Sequence, residues 1–172
     1  MKKIFKKFNK VGKVGDKRGF TLIEILVVIG IIAILATIVI IAINPARQFA
    51  QARNTQRTSN VNSILNAIGQ RIADNKGVFA GAVATQNCPT LTVATVYDIT
   101  STVGATNIDL SCLAPTYIPT LPFDPSAVGA HWISAADYDT KYQVVVDAIG
   151  RYTVSAPTLE PVLGNPVISV TR

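Results

Sequence analysis

Histidine is nearly missing from this chain. His131 is the only one in 172 residues, and the two cysteines, Cys88 and Cys112, form no CxxC pair. A zinc site needs about four His, Cys or carboxylate ligands at short spacings, and that ligand set is not written here. Nor is there a G-x-S-x-G, an H-E-x-x-H or a phosphate-binding glycine loop. His131 stands beside Trp132 with no Ser or Cys nearby in a recognisable motif, so it reads as a packed or surface histidine. No catalytic residue is assigned, and the chain reads as a substrate of enzymes rather than an enzyme.

Charge is also missing over one long stretch. From Phe20 to Ile43 there are 24 residues, and Glu24 is the sole charged one. As a helix rising ~1.5 Å per residue this run is roughly 36 Å long. That exceeds the ~30 Å hydrocarbon thickness of a bilayer and allows a tilted span. Eight basic residues precede it: Lys2, Lys3, Lys6, Lys7, Lys10, Lys13, Lys17 and Arg18. Such a flank holds the N-terminus in the cytoplasm and sends the C-terminal part outward. A removed secretory signal would have an apolar core of ~7–15 residues, shorter than this one. Ala42-Ile43-Asn44 is also a poor cleavage site, so a retained helix is expected.

A carboxylate this near the start of a membrane helix is costly unless it snorkels to water, is protonated or finds a partner. If the chain were cut after Gly19, the new amine of Phe20 would lie at almost the same depth as Glu24. Opposite charges in low dielectric attract strongly and remove each other's unpaired-charge penalty. The pair could form within one helix. Between staggered copies it would set a register.

The run Gly19-Phe20-Thr21-Leu22-Ile23-Glu24, then Ile25-Leu26-Val27-Val28-Ile29, resembles the N-terminus of type IV pilins and pseudopilins. The likeness covers about thirty residues, including the Lys-rich leader. It implies cleavage between Gly19 and Phe20 by a prepilin peptidase and methylation of the Phe20 amine. It also implies assembly through Glu24 and the Phe20 of an adjacent subunit. The implied partners are further copies in a homo-oligomeric filament, the peptidase/methyltransferase, a pilus or secretion assembly machinery, and membrane lipid. The implied location is the cytoplasmic membrane, single pass with the N-terminus in and the C-terminus out, then an extracellular or periplasmic filament.

The net charge of +6 belongs to the leader. Residues 20–172 carry eight Lys or Arg and nine Asp or Glu, a balance of 8 − 9 = −1. Nucleic acid is therefore not indicated as a partner. Arg47, Arg53 and Arg57 cluster just past the apolar run and read as a solvated or lipid-headgroup-facing surface. Cys88 and Cys112 fall in the exported part, where oxidation favours a disulfide over two free buried thiols.

The expected fold is α+β: a long N-terminal helix packed on a small C-terminal antiparallel sheet, pilin-like. Asn44-Pro45 interrupts the apolar run and reads as a kink with the helix continuing, so one helix from about Phe20 to Asn75 is the simplest reading. Val61, Ile64, Leu65, Ile68 and Ile72 recur at helical spacing. Arg57, Ser59, Asn60, Asn62, Asn66 and Gln70 take the other side. Asp74-Asn75-Lys76-Gly77 supplies the stop. Tyr142, Val144 and Val146, a turn at 147–150, and Arg151–Ser155 predict a hairpin, with a third strand at Val167–Thr171. The sheet's apolar face would bury the helix stripe. The expected divisions are a leader (1–19), a membrane or filament-core helix (20–43), an amphipathic continuation (44–76), a variable loop region holding the disulfide (77–140), and the sheet (141–172). Within the variable region, Leu91–Thr100 is β-rich and a short helix is expected around Leu110, Cys112 and Leu113.

The Leu121-Pro122-Phe123-Asp124-Pro125 stretch resembles the loop before the sheet in major pseudopilins of type II secretion, a family whose members often bind calcium beyond this point. The later acidic loop has no counterpart here. Asp124, Asp137 and Asp139 are scattered and make no EF-hand-like ligand series. No cofactor is expected, and these three are the weakest of metal candidates. The functional expectation is a structural subunit of a type IV pilus-like or pseudopilus filament. The alternatives are a single-pass membrane anchor with an extracytoplasmic binding domain, and a secreted binding protein.

Overall fold

The computed structural model describes residues 19–83, 85–158, 160–164 and 166–172. The leader expected at 1–19 lies outside these residues apart from Gly19. The chain divides into two units at Ile43/Asn44.

The first unit is helix α1, Leu22–Ile43, with Glu24 as its only acid and no buried residue. It is long and apolar enough to cross a membrane. Its hydroxyl at Thr37 donates to the Ala33 carbonyl one turn back, at 2.9 Å. That bond removes an unsatisfied polar group from an otherwise apolar surface.

The second unit opens with a correction. The helix does not run unbroken to Asn75. Asn44 sits at φ 46°, ψ 80°, in the left-handed region, and a new helix α2 runs Pro45–Asp74. Asn tolerates this conformation better than most residues. Its side chain accepts from the Arg47 amide at 3.3 Å, and Pro45 takes the first position, where its missing N–H costs nothing. One residue therefore ends one helix and caps the next. At the far end Lys76 and Gly77 turn to positive φ, and the Gly77 amide donates to the Ile72 carbonyl at 2.8 Å.

The sheet runs in the order β4-β3-β6-β7-β8, with β5 also paired to β6. Its strands are β3 (Tyr97–Thr100), β4 (Asn107–Ile108), β5 (His131–Ser134), β6 (Asp137–Val146), β7 (Tyr152–Ala156) and β8 (Ile168–Thr171). All pairings are antiparallel except β3 with β4. The hairpin and third strand predicted from alternation are β6, β7 and β8. The β-rich stretch at Leu91–Thr100 supplies β3, and the sheet also recruits the short β4 and β5, which carry too few alternating residues to announce themselves. A separate two-stranded hairpin pairs β1 (Gly81–Val83) with β2 (Gln86–Cys88).

The predicted stripe forms the core. Val61, Ile64, Leu65 and Ile68 are buried together with Tyr142, Val144, Val154 and Ala156. Each fully buried aliphatic side chain contributes about 1.5–3 kcal/mol. The short helix expected near Leu110 is a 3-10 turn at Ser111–Leu113, and it carries Cys112. Cys88 and Cys112 are disulfide-bonded across a sequence separation of 24.

The helix's polar side is not uniformly solvated: Arg47 is exposed and Arg53 half-exposed as the surface reading expects, but that reading is overturned for Arg57. Arg57 is fully buried. Its Nε and Nη2 donate to the two Asp124 oxygens at 2.8 and 3.2 Å. Its Nη1 donates to Glu160 Oε1 and Asn54 Oδ1, both at 2.7 Å, and Nη2 also donates to Ser126 Oγ. Arg53 grips both Glu160 oxygens at 2.7 Å. Asn60, also expected on the solvated side, is buried and donates to the Tyr142 hydroxyl at 2.9 Å and to the Phe123 carbonyl.

Two predictions follow from this packing. The double variant Cys88→Ser/Cys112→Ser should lose about 3 kcal/mol, the loop-closure value for such a span, read by denaturant unfolding of the full chain in detergent. The second concerns acid. The flanking guanidiniums hold Glu160 down to about 2 from its usual 4.5. Asp124 is likewise lowered, by Arg57 and the amides of Ser126 and Ala127, against the burial that opposes it. A depressed folded-state pKa stabilises above the unfolded value. Thermal stability should therefore hold above about pH 5 and fall as pH drops from about 4.5 towards 2. Glu160→Gln should start lower at neutral pH and show a flatter acid limb.

Candidate functional site

The segment Gly19–Glu24 is built around a helix start. Thr21 is the residue before α1, and Glu24 is the third residue inside it. The Thr21 amide donates to Glu24 Oε2 at 2.8 Å, and the Thr21 hydroxyl donates to the same oxygen at 2.9 Å. The Glu24 amide donates back to the Thr21 hydroxyl at 3.2 Å. This is a reciprocal capping box: two orphan amides at the helix start are satisfied by each other's side chains. The carboxylate also sits at the positive end of the helix dipole. The sequence carried the signal, Thr-x-x-Glu ahead of an apolar run. The same glutamate that poses a charge problem is thus also a cap.

The cap gives Glu24 a role within its own chain. Its carboxylate is engaged by Thr21, one residue past Phe20. Phe20 is 85% exposed, and it carries a peptide amide here, since Gly19 is still attached. Gly19 is also exposed, and a side chain added there would meet nothing within 4 Å.

The three aspartates named as metal candidates each meet a basic side chain of this chain. Asp124 is bound by Arg57, Asp139 by Lys141 Nζ at 2.6 Å, and Asp137 by His131 Nε2 at 3.1 Å. Among the described residues no group of three or more His, Cys, Asp or Glu lies together. His131 is half-exposed, and its Nδ1 meets the Gly129 carbonyl at 2.7 Å. That bond and Asp137 raise its pKa. No nucleophile accompanies it among its hydrogen-bond partners.

What the sequence did not reveal is the Arg53–Arg57–Asp124–Glu160 cluster. Glu160 lies 103 residues from Arg57, beyond any spacing rule. The sole hint was the basic pair itself, on a helix with no acid before Asp74.

Comparison with known proteins agrees with the N-terminal geometry. The family model described as the prokaryotic N-terminal methylation motif matches residues 15–40. The chain thus carries the hallmark of type IV pilin and pseudopilin precursors over that segment. No curated protein matches the chain, and no solved structure does.

The capping geometry is open to direct test. Thr21→Ala removes both hydroxyl bonds and should weaken the first turn of α1 by about 1 kcal/mol. Amide exchange at Leu22–Glu24 should rise about fivefold for the full chain in lipid nanodiscs, with Ile31–Ile41 unchanged.

Proposed function

We propose that this chain is a structural subunit of a type IV pilus-like or pseudopilus filament, made as a membrane-inserted precursor. A prepilin peptidase cuts after Gly19, the Phe20 amine is methylated, and the mature chain polymerises through α1. The observation that carries this reading is the methylation motif at residues 15–40, set on a helix of which no residue is buried. Twenty-two exposed, almost wholly apolar residues need cover, and lipid or sibling helices are equally apolar covers. Moving such a helix from lipid to a filament core changes little in its solvation.

The lone carboxylate is the exception, and it explains the processing step. Glu24 carries its charge into whichever apolar setting surrounds α1. Cutting after Gly19 creates a cation next to it, and a neighbour's Phe20 amine then offsets the charge. The Thr21 cap holds the carboxylate at the helix start, where an approaching amine meets it. The open space at Gly19 supports a glycine kept for the peptidase's backbone approach. Residues 44–172 form the outer, solvated part of each subunit.

The deciding experiment is N-terminal and intact mass spectrometry of membrane-extracted protein, with electron microscopy of sheared material, for wild type and Glu24→Ala. The expected wild-type chain begins at Phe20, carries one methyl group and forms filaments. Glu24→Ala should insert stably yet give no filaments, or misregistered ones. A wild-type chain that keeps its leader would mean a simple membrane anchor and sink the filament reading. Normal filaments from Glu24→Ala would sink the charge-pairing mechanism alone.

A further inference from the structure

Two unfavourable features of the 44–172 unit converge on one cleft. The first is a bulge between β3 and β6. Asp98 pairs with Gln143 and Thr100 with Asp139, so residues 140–142 stand opposite Ile99 alone. Lys141, in the middle of that bulge, sits at φ 58°, a conformation that suits glycine. The Thr140 side chain braces the bulge. The Thr140 hydroxyl donates to the Ile99 carbonyl at 2.8 Å and accepts from the Tyr142 amide at 3.1 Å. Bulges of this kind re-aim side chains beside functional sites. Here the re-aimed chain is Lys141, which reaches back to Asp139 on the exposed side of β6.

The second feature is the buried Arg57 cluster. Burying a guanidinium with two carboxylates gains little over an apolar core of the same shape, so its use lies in fixing geometry. What it fixes are two loops. Asp124 Oδ1 accepts from the Ser126 and Ala127 amides, both at 2.8 Å. Glu160 ties down the connection that follows Pro157 and Thr158. Ala127 forms one wall of the cleft, Pro157 and Thr158 another, and the bulge contributes Asp139 and Lys141. The cleft encloses about 600 Å³, within the roughly 300–1,000 Å³ usual for small-molecule sites.

Its lining selects the ligand. Asp98, Asp139 and Lys141 leave one net negative charge, which disfavours phosphates, nucleic acid and acidic sugars. Among the described residues lining the cleft, Ala127 and Pro157 are the only apolar ones, too few for a hydrophobic ligand. Lys141 Nζ lies 2.6 Å from an Asp139 oxygen. That places an ammonium donor beside a carboxylate acceptor, the arrangement that grips two adjacent hydroxyls. Asp98 is steadied by the Gln143 amide at 2.9 Å, and Thr102, Asn107 and Thr158 complete a rim of neutral hydrogen-bonding groups. We propose that this cleft binds a neutral saccharide, with Lys141, Asp139 and Asp98 holding its vicinal hydroxyls. The site belongs to the 44–172 unit and stands independently of the filament reading.

The test uses the full chain in a zwitterionic detergent without sugar headgroups, applied to an array of neutral and anionic oligosaccharides. The strongest neutral binder is then titrated by calorimetry against wild type, Lys141→Gly and Asp98→Ala. Glycine adopts the Lys141 backbone freely, so that variant should keep or raise its melting temperature. Both variants should lose affinity about tenfold or more, the worth of a hydrogen bond to a charged group. If Lys141→Gly lowers the melting temperature, Asp98→Ala alone decides. Retention of no neutral glycan, retention of anionic glycans only, or wild-type affinity in the deciding variants overturns the proposal.

Discussion

The buried guanidinium of Arg57 organises two segments of the 44–172 unit. Arg57 lies on the side of α2 that periodicity assigns to water, yet it is fully enclosed because two distant carboxylates come to it. The stripe of Val61, Ile64, Leu65 and Ile68 fixes how α2 lies on the sheet. That packing says nothing about where the proline-marked segments at 119–125 and 157–166 should rest. Leu121 alone anchors the first segment in the core, and the 3-10 turn at Pro161–Leu163 in the second has no buried residue. Charge-assisted hydrogen bonds supply the direction instead. The guanidinium's fork meets one carboxylate on one side and another on the adjacent side, so both segments are placed relative to a single helical residue.

Helix α1 shows the opposite economy. α1 has almost no polar groups to place, so its few carry disproportionate meaning. Thr37 bonds its own backbone. Thr21 and Glu24 bond each other. The cap settles the local demands of the helix start while keeping a formal negative charge at the edge of an apolar surface. A neutral cap would satisfy the amides equally well. Under the proposed function the choice of glutamate makes sense, because there a cation is to arrive from a neighbouring chain.

Much of this was legible in the sequence because it is periodic or local. The apolar run, the helix stripe, the β6–β7 hairpin and the β8 strand each repeat a simple pattern over enough residues to be read. The disulfide followed from compartment, and Cys88 and Cys112 are indeed joined. The failures share one cause. Arg57 with Glu160, Asn60 with Tyr142 and Ile99 with Thr140 are single contacts between distant positions, and no window along the chain contains both partners. β4, with two residues, is too short to have a period. The break at Asn44 was misjudged for another reason. Asn-Pro is compatible with both a kinked helix and a restarted one, and the left-handed φ of Asn44 decides between them.

That one residue has a consequence for how the protein yields to stress. Helical order spreads cooperatively through consecutive residues in the right-handed basin. Asn44 is outside that basin, so the zipper has a stop built into it. Melting that begins at the outer end of α2 has no continuous ladder by which to reach α1. Fraying of α1 likewise ends where Asn44 re-initiates the next ladder with its own cap. The two helices are therefore separate hydrogen-bonded ladders, and melting of one has no continuous backbone route into the other.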